Sequence, residues 1–280
     1  MTAVTQRGVA ALPAAEQVLP QAGRENFTVA SAILGPRRAR HLMAIYGFAR
    51  LVDDVGDEAE GDRNALLDVV GHELERVFAA ASSDEPPQHP LMRELATTVH
   101  ACALPVGPFQ RLIEANRVDQ VVTRYETFGQ LLDYCQLSAA PVGELVLGVF
   151  GAASPARVAL SDRVCAGLQV VEHLQDIAED HSRGRVYMPR EDLVHFGCDE
   201  DDLDAEAPSA RLRALIEFEA NRARALLGSG APLARTLAPA PRIAIAGFTA
   251  GGLSAIEALE QGRRSRLGYA WKLLRTAAGR

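Results

Sequence analysis

Aromatic residues are scarce in this chain, at 5% of 280 residues with a single tryptophan, so most of the core must be aliphatic. Cysteine is scarcer still. Cys102, Cys135, Cys165 and Cys198 lie far apart, and no pair has the close spacing of a zinc knuckle or a redox CxxC. Buried free thiols are expected. Positive charge is in deficit, with a net charge of −7, which argues against a nucleic-acid partner. No apolar run approaches the roughly 18 residues needed to span a bilayer. The N-terminus has one early cation, Arg7, and scattered polar residues instead of an apolar core. It does not read as a signal peptide, and the cytoplasm is the expected location. Strand signals are also thin, because strict alternation and Asn-Gly or Asp-Gly turns are scarce.

What the chain does have is helical periodicity. Apolar residues recur at three- and four-residue spacing nearly throughout, in a background of Ala, Leu, Arg, Glu and Gln. Breakers punctuate it at Gly35-Pro36, Pro86-Pro87, Pro105 to Pro108, Ser154-Pro155, Pro189, Pro208 and Pro239 to Pro241. They predict helices near 37–59, 62–82, 90–101, 107–122, 127–150, 156–182, 209–228, 242–260 and 265–277. The expected fold is all-α, a single domain over 25–280 with a central apolar cavity, preceded by a flexible tail at 1–24. Residues 261–280 hold Arg263, Arg264, Arg266, Lys272, Arg275 and Arg280 and no acid. Such a stretch is ordinarily a solvated helix face; contact with an anion or a membrane surface is the sharper alternative.

Two acidic stripes stand out. An almost wholly apolar run from Leu42 to Val52 leads directly into Asp53-Asp54-Val55-Gly56-Asp57-Glu58. Asp53 and Asp57 are four apart and share a helix face. Like charges so placed inside a protein need a compensating cation, and Mg²⁺ commonly takes one or two carboxylates and completes its shell with water and phosphate oxygens. A lone Asp-x-x-x-Asp is an unspecific signal in a chain with 36 acidic residues. The second stripe changes its weight, because Gln169, Glu172, Asp176 and Asp180 also follow helical spacing. His173 lies beside that line and reads as a structural hydrogen-bonder. Two such ladders predict a cavity with acidic walls, where a diphosphate bridged by magnesium ions neutralises both. Metal coordination there would let an allylic carbon–oxygen bond ionise without a general acid. Arg50 and Arg185 suit phosphate oxygens, with ion pairs to the neighbouring aspartates as the plain alternative.

These residues resemble the squalene/phytoene synthase family, whose chemistry is head-to-head condensation. The carrying motifs are Ile45 to Asp54 with Asp57, Asp119 to Tyr125, Tyr134-Cys135 to Gly143, and Gln169 through Tyr187-Met188-Pro189. The resemblance runs from about Glu25 to the C-terminus. Glu25 to Ser31 and Arg124 to Phe128 resemble the hydroxysqualene synthase branch, which takes presqualene diphosphate and quenches the cation with water. The resemblance implies that Asp53, Asp57, Asp176 and Asp180 hold two or three Mg²⁺ ions with the diphosphate; Glu172, on the same stripe, reads as a further metal ligand ahead of a group that orients the capturing water. It implies that Tyr46 and Arg50 line the first site and Gln169 the second, that Arg185 and Tyr187 grip phosphate, and that Phe27 contacts substrate. Tyr134 matches a tyrosine facing the reacting carbons. No nicotinamide is expected, and either a monomer or a homodimer is compatible.

The sequence also departs from the family pattern. Glu172 stands where Asn is usual, and Gln175 where Arg is usual. Arg24 and Asn26 stand where many members have serine, and no tyrosine stands near Phe248 or Thr249. Rival readings are a phytoene or dehydrosqualene synthase, a non-catalytic assembly factor of the same fold, and a carboxylate-bridged iron protein. The iron site would need Glu-x-x-His pairs, which do not flank the stripes.

Overall fold

Proline opens many of the helices, since its fixed φ and missing N–H suit a first turn. The computed structural model describes residues 8–18, 35–80, 85–205 and 207–261. Their helices in order are α1 (Ala15–Val18), α2 (Pro36–Asp57), α3 (Arg63–Ala79), α4 (Pro90–Cys102), α5 (Gly107–Val118), α6 (Phe128–Ser138), α7 (Ala140–Val149), α8 (Pro155–Gln175), α9 (Ile177–Ser182), α10 (Arg190–Phe196), α11 (Ala210–Gly230), α12 (Pro232–Arg235) and α13 (Pro239–Glu260). A 3-10 turn spans Glu200–Asp204. Side-chain caps fix other starts: Asp62 accepts from the Ala65 amide, Thr127 from Gln130, Ser154 from Arg157 and Ser209 from Leu212. Among the described residues the only β-type pairing is an isolated parallel bridge between Arg124 and Val186. The all-α expectation holds.

Two expected helices are each divided. The stretch 127–150 breaks at Ala139, because Pro141 cannot donate the amide that would continue the ladder. The stretch 156–182 breaks at Asp176, where φ is −114° and ψ 17°. No proline or glycine stands at that break. The hydrogen-bond ladder nonetheless passes through it, from the Asp176 amide to the Glu172 carbonyl (3.1 Å) and from the Asp180 amide to the Asp176 carbonyl (2.8 Å). The helix expected over 107–122 stops at Val118. Short α10 and α12 carried no periodic signal, and the helix expected over 265–277 lies outside the described residues.

The core is aliphatic with a few aromatic joints. Phe48 of α2 meets Phe109 of α5 edge to face at 5.1 Å between centroids. Each fully buried Leu or Phe contributes about 1.5–3 kcal/mol. Long α8 runs through the bundle against α7, α11 and α13. A Cβ on Gly230 of α11 would stand 2.6 Å from Val164 Cγ2 and 2.7 Å from the Leu160 carbonyl oxygen, so this crossing requires glycine. Buried Glu73 closes the α3–α4 corner. Its carboxylate accepts from the Gln88 and His89 amides at 2.7 and 2.8 Å, satisfying donors at the start of α4. His89 in turn reaches the Pro13 carbonyl at 3.0 Å, and Leu12 and Val18 are buried within the stretch expected as a tail.

All four cysteines are free; three are buried and Cys102 is half-buried. Against the expectation that no apolar stretch is long enough to cross a bilayer, the 22-residue α13 is long and apolar enough by length and composition alone, a test that core helices also pass. Its Ala and Gly residues raise the hydropathy without forming an obvious apolar block. A void of about 10 Å³ lies where α7, α8 and α13 meet, lined by Gly143, Val164, Leu168, Ile245 and Phe248.

Candidate functional site

The first ladder sits at the C-terminal end of α2. Tyr46, Arg50 and Asp53 are buried there, with Asp53 only 3% exposed. Asp53 accepts a hydrogen bond from Asn116 Nδ2 on α5 at 3.3 Å. Burial, reinforced by the charge of Asp57 one turn on, pushes the Asp53 carboxyl well above its ordinary range. Asp57 itself is met by Arg185 Nη2 at 2.8 Å. Arg50 Nη2 lies 2.6 Å from Asp54 and 3.4 Å from Glu58, and its charge also acts on Asp53. Both arginines thus make the ion pairs with neighbouring carboxylates that the sequence offered as the plain alternative. Burial pushes the Asp54 carboxyl up to about 6 despite Arg50.

The second ladder runs through the α8–α9 break. Gln169, Glu172 and Asp180 are buried, and Asp176 occupies the break itself. His173 stacks on Tyr187 with ring centroids 3.9 Å apart, its Nε2 lying 3.4 Å from Gln169 Nε2 and its Nδ1 4.0 Å from Asp180. It acts as the structural neighbour that its sequence position indicated. After α9 the chain turns through Gly184, at φ 79°, and the Arg185 amide bonds the Asp180 carbonyl at 2.9 Å. That turn carries Arg185 to Asp57 and so ties the end of one ladder to the other.

Between the ladders lies a group that sequence reasoning assigned no role. Asp119, at the end of α5 and 5% exposed, accepts from Tyr134 Oη at 2.7 Å and from Tyr187 Oη at 3.3 Å. The rings of Tyr125, Tyr134 and Tyr187 gather around it at centroid distances of 5.5 to 5.7 Å. Arg124 braces the same loop by bonding the Gly184 carbonyl at 2.6 Å and gripping Glu200 with two nitrogens at 2.7 and 2.8 Å. Asn116 and Asp119 were also missed. Their three-residue spacing on one helix face was visible, but their partners were not. Of the residues the sequence singled out, Asp57 and Arg185 touch directly, while Tyr134 and Tyr187 share Asp119. Phe27 lies outside the described residues.

The donor set is carboxylate oxygen plus one amide, which suits a hard cation such as Mg²⁺ and not a thiophilic metal. Among the described residues, no three His, Cys, Asp or Glu side chains converge into a metal cage. Such a cage is not what Mg²⁺ requires when phosphate and water complete its shell.

The family profile described as squalene/phytoene synthase matches residues 21–275. A hydroxysqualene synthase of Rhodopseudomonas palustris is 36% identical over 211 residues, covering 75% of this chain and 70% of that one. A squalene synthase from Alicyclobacillus acidocaldarius has a crystal structure that superposes with a TM-score of 0.80 at 38% identity, covering 95% of this chain and 98% of that one. A dehydrosqualene synthase structure shares the fold at a TM-score of 0.80 and 22% identity, covering 98% and 96%. With its helical bundle, its two acidic ladders and these likenesses, the chain is an enzyme of the squalene/phytoene synthase family.

Proposed function

We propose that this enzyme ionises presqualene diphosphate and captures the resulting C30 cation with water, giving hydroxysqualene and diphosphate. The observation that carries the reading is the pair of acidic ladders joined by Arg185–Asp57, in a chain similar to hydroxysqualene synthases. In the ionisation the carbon–oxygen bond breaks and its electron pair leaves with the diphosphate. A water oxygen then bonds to carbon and gives up a proton to the released diphosphate. Asp53 and Asp57 on one side, and Asp176, Asp180 and Glu172 on the other, would hold Mg²⁺. Bound there, two or three Mg²⁺ ions would neutralise the diphosphate and make it a stable leaving group.

The remaining roles belong to side chains. Arg185 already lies against Asp57, and a guanidinium so placed can exchange one carboxylate oxygen for a phosphate oxygen. Arg50 and Tyr46 line the first ladder and Gln169 the second. Phe27 is assigned to substrate, and Tyr187 to the phosphate side. The Tyr134 ring would face positive charge developing on carbon. Glu172 adds a further carboxylate to the second ladder; a ligand role is favoured over orientation of the capturing water. The same family supports a second reading, condensation of two prenyl diphosphates, since phytoene synthases of Mycobacterium are 29% identical over 201 residues. The domain is taken as 25–280, and a lipid-like substrate favours peripheral contact with the inner face of the membrane.

Mass spectrometry of the hexane extract separates these readings. The enzyme with Mg²⁺ should convert presqualene diphosphate to a C30 alcohol and leave farnesyl and geranylgeranyl diphosphates unjoined. A condensed hydrocarbon from either prenyl diphosphate would select the second reading.

A further inference from the structure

Asp119 is placed where a carboxylate is doubly disfavoured. It is 5% exposed, so it has lost hydration, and it caps the C-terminal end of α5, where the helix dipole opposes negative charge. Buried charge persists where other groups compensate it. Here two phenols donate to it, Tyr134 at 2.7 Å and Tyr187 at 3.3 Å, and the charge of Arg185 also acts on it. The shorter contact has the length of a charge-assisted bond. The two tyrosines come from different places, Tyr134 from α6 and Tyr187 from the segment before α10. A carboxylate that gathers both controls how each ring is presented.

We propose that Asp119 is a positioning residue that commits the Tyr134 hydroxyl proton to its own carboxylate and so fixes how the phenol is presented. The inference rests on the C30 reading above. With its proton committed to Asp119, Tyr134 offers a bound cation ring density and oxygen lone pairs, and no acidic proton. Ring density stabilises a passing cation. A lone pair can accept a hydrogen from water, leaving the water oxygen to attack carbon. The phenol therefore neither protonates an alkene product nor competes with Arg185 for the diphosphate. Burial and the adjacent carboxylate both hold Tyr134 un-ionised far above the usual range, consistent with a neutral donor. Tyr125 and Tyr187 pack around the ring and keep it from turning.

The test uses Asp119→Asn, which keeps the shape and removes the charge. Loss of one hydrogen bond to a charged group should lower kcat about 10- to 100-fold with KM little changed. The C30 product should shift from alcohol toward hydrocarbon formed by proton loss. Tyr134→Phe should do the same, and Asp119→Asn added to Tyr134→Phe should cost little more. A second readout needs no turnover. Ultraviolet difference titration should show a buried tyrosine of Asp119→Asn ionising at lower pH than any buried tyrosine of the parent. Full additivity of the two substitutions, or Tyr134→Phe acting like the parent in rate and products, overturns the proposal. So does an unchanged titration of folded Asp119→Asn. If no C30 diphosphate is turned over, the proposed reaction fails while the titration still judges Asp119.

Discussion

Asp53 and Asp57 were legible as a pair because a four-residue spacing is local information, and so were Gln169, Glu172, Asp176 and Asp180. What holds them was not. Asn116 reaches Asp53 across 63 positions and Tyr187 reaches Asp119 across 68, and no pattern in a single sequence reports such contacts. Replacing Asp53, Asp57, Asp176 or Asp180 with Ala should each lower kcat by about 10²–10³, with helical circular dichroism unchanged. A variant at parental rate would remove that residue from the site. Gly56 tests the support beneath the first ladder. A Cβ there would stand 2.1 Å from Asn116 Oδ1. Gly56→Ala should therefore displace Asn116 and reduce activity more than stability, checked by comparing kcat with Tm.

At the scale of the element, helix starts were readable because proline and capping side chains are local signals, and helix interruptions were only partly so. Pro141 explains the break after α6 in retrospect. The break at Asp176 has no local cause in the sequence, and α10 and α12 are too short for periodicity to detect. The α8–α11 crossing offers a stability test: Gly230→Ala should destabilise the fold by about 1–3 kcal/mol, read from denaturant midpoints, because a backbone carbonyl cannot move aside. The α10–α11 contact offers a pH test. Arg222 Nη1 lies 2.6 Å from Asp192 and 2.7 Å from buried Glu219, with its guanidinium over Phe218 and Phe128. Burial, with Asp192 nearby, pushes the Glu219 carboxyl from 4.5 up to about 8. The folded state thus binds this proton more tightly than the unfolded one. Its contribution is fully present below about pH 4.5 and is lost as pH rises through about 8. Tm of the parent should fall across that window, and Glu219→Gln should flatten the fall. Equal slopes for both proteins would contradict this assignment.

Over the whole molecule, a net charge of −7 is unevenly spread, because residues 261–280 hold six cations and no acid. Most of that stretch lies outside the described residues, and helix α13 before it is apolar and only partly buried. The full chain should bind vesicles of anionic lipid at low salt and release them as salt rises. Changing Arg263, Arg264 and Arg266 to Gln should weaken that binding, measured by vesicle co-sedimentation. Retention unaffected by either salt or these changes would rule out an electrostatic surface.

All-α class and family were legible in the sequence, because periodicity and long ordered motifs extend through most of the chain. The fate of the cation was not, because it depends on which groups face one carbon of the bound intermediate. Hydride capture requires a nicotinamide, proton loss gives a hydrocarbon, and water capture gives an alcohol whose oxygen comes from solvent. The decisive measurement is incubation of enzyme, Mg²⁺ and presqualene diphosphate in ¹⁸O-water without NADPH, followed by mass spectrometry of the C30 product. The account predicts a labelled C30 alcohol, and an unlabelled hydrocarbon, or product formed only when NADPH is added, would contradict it.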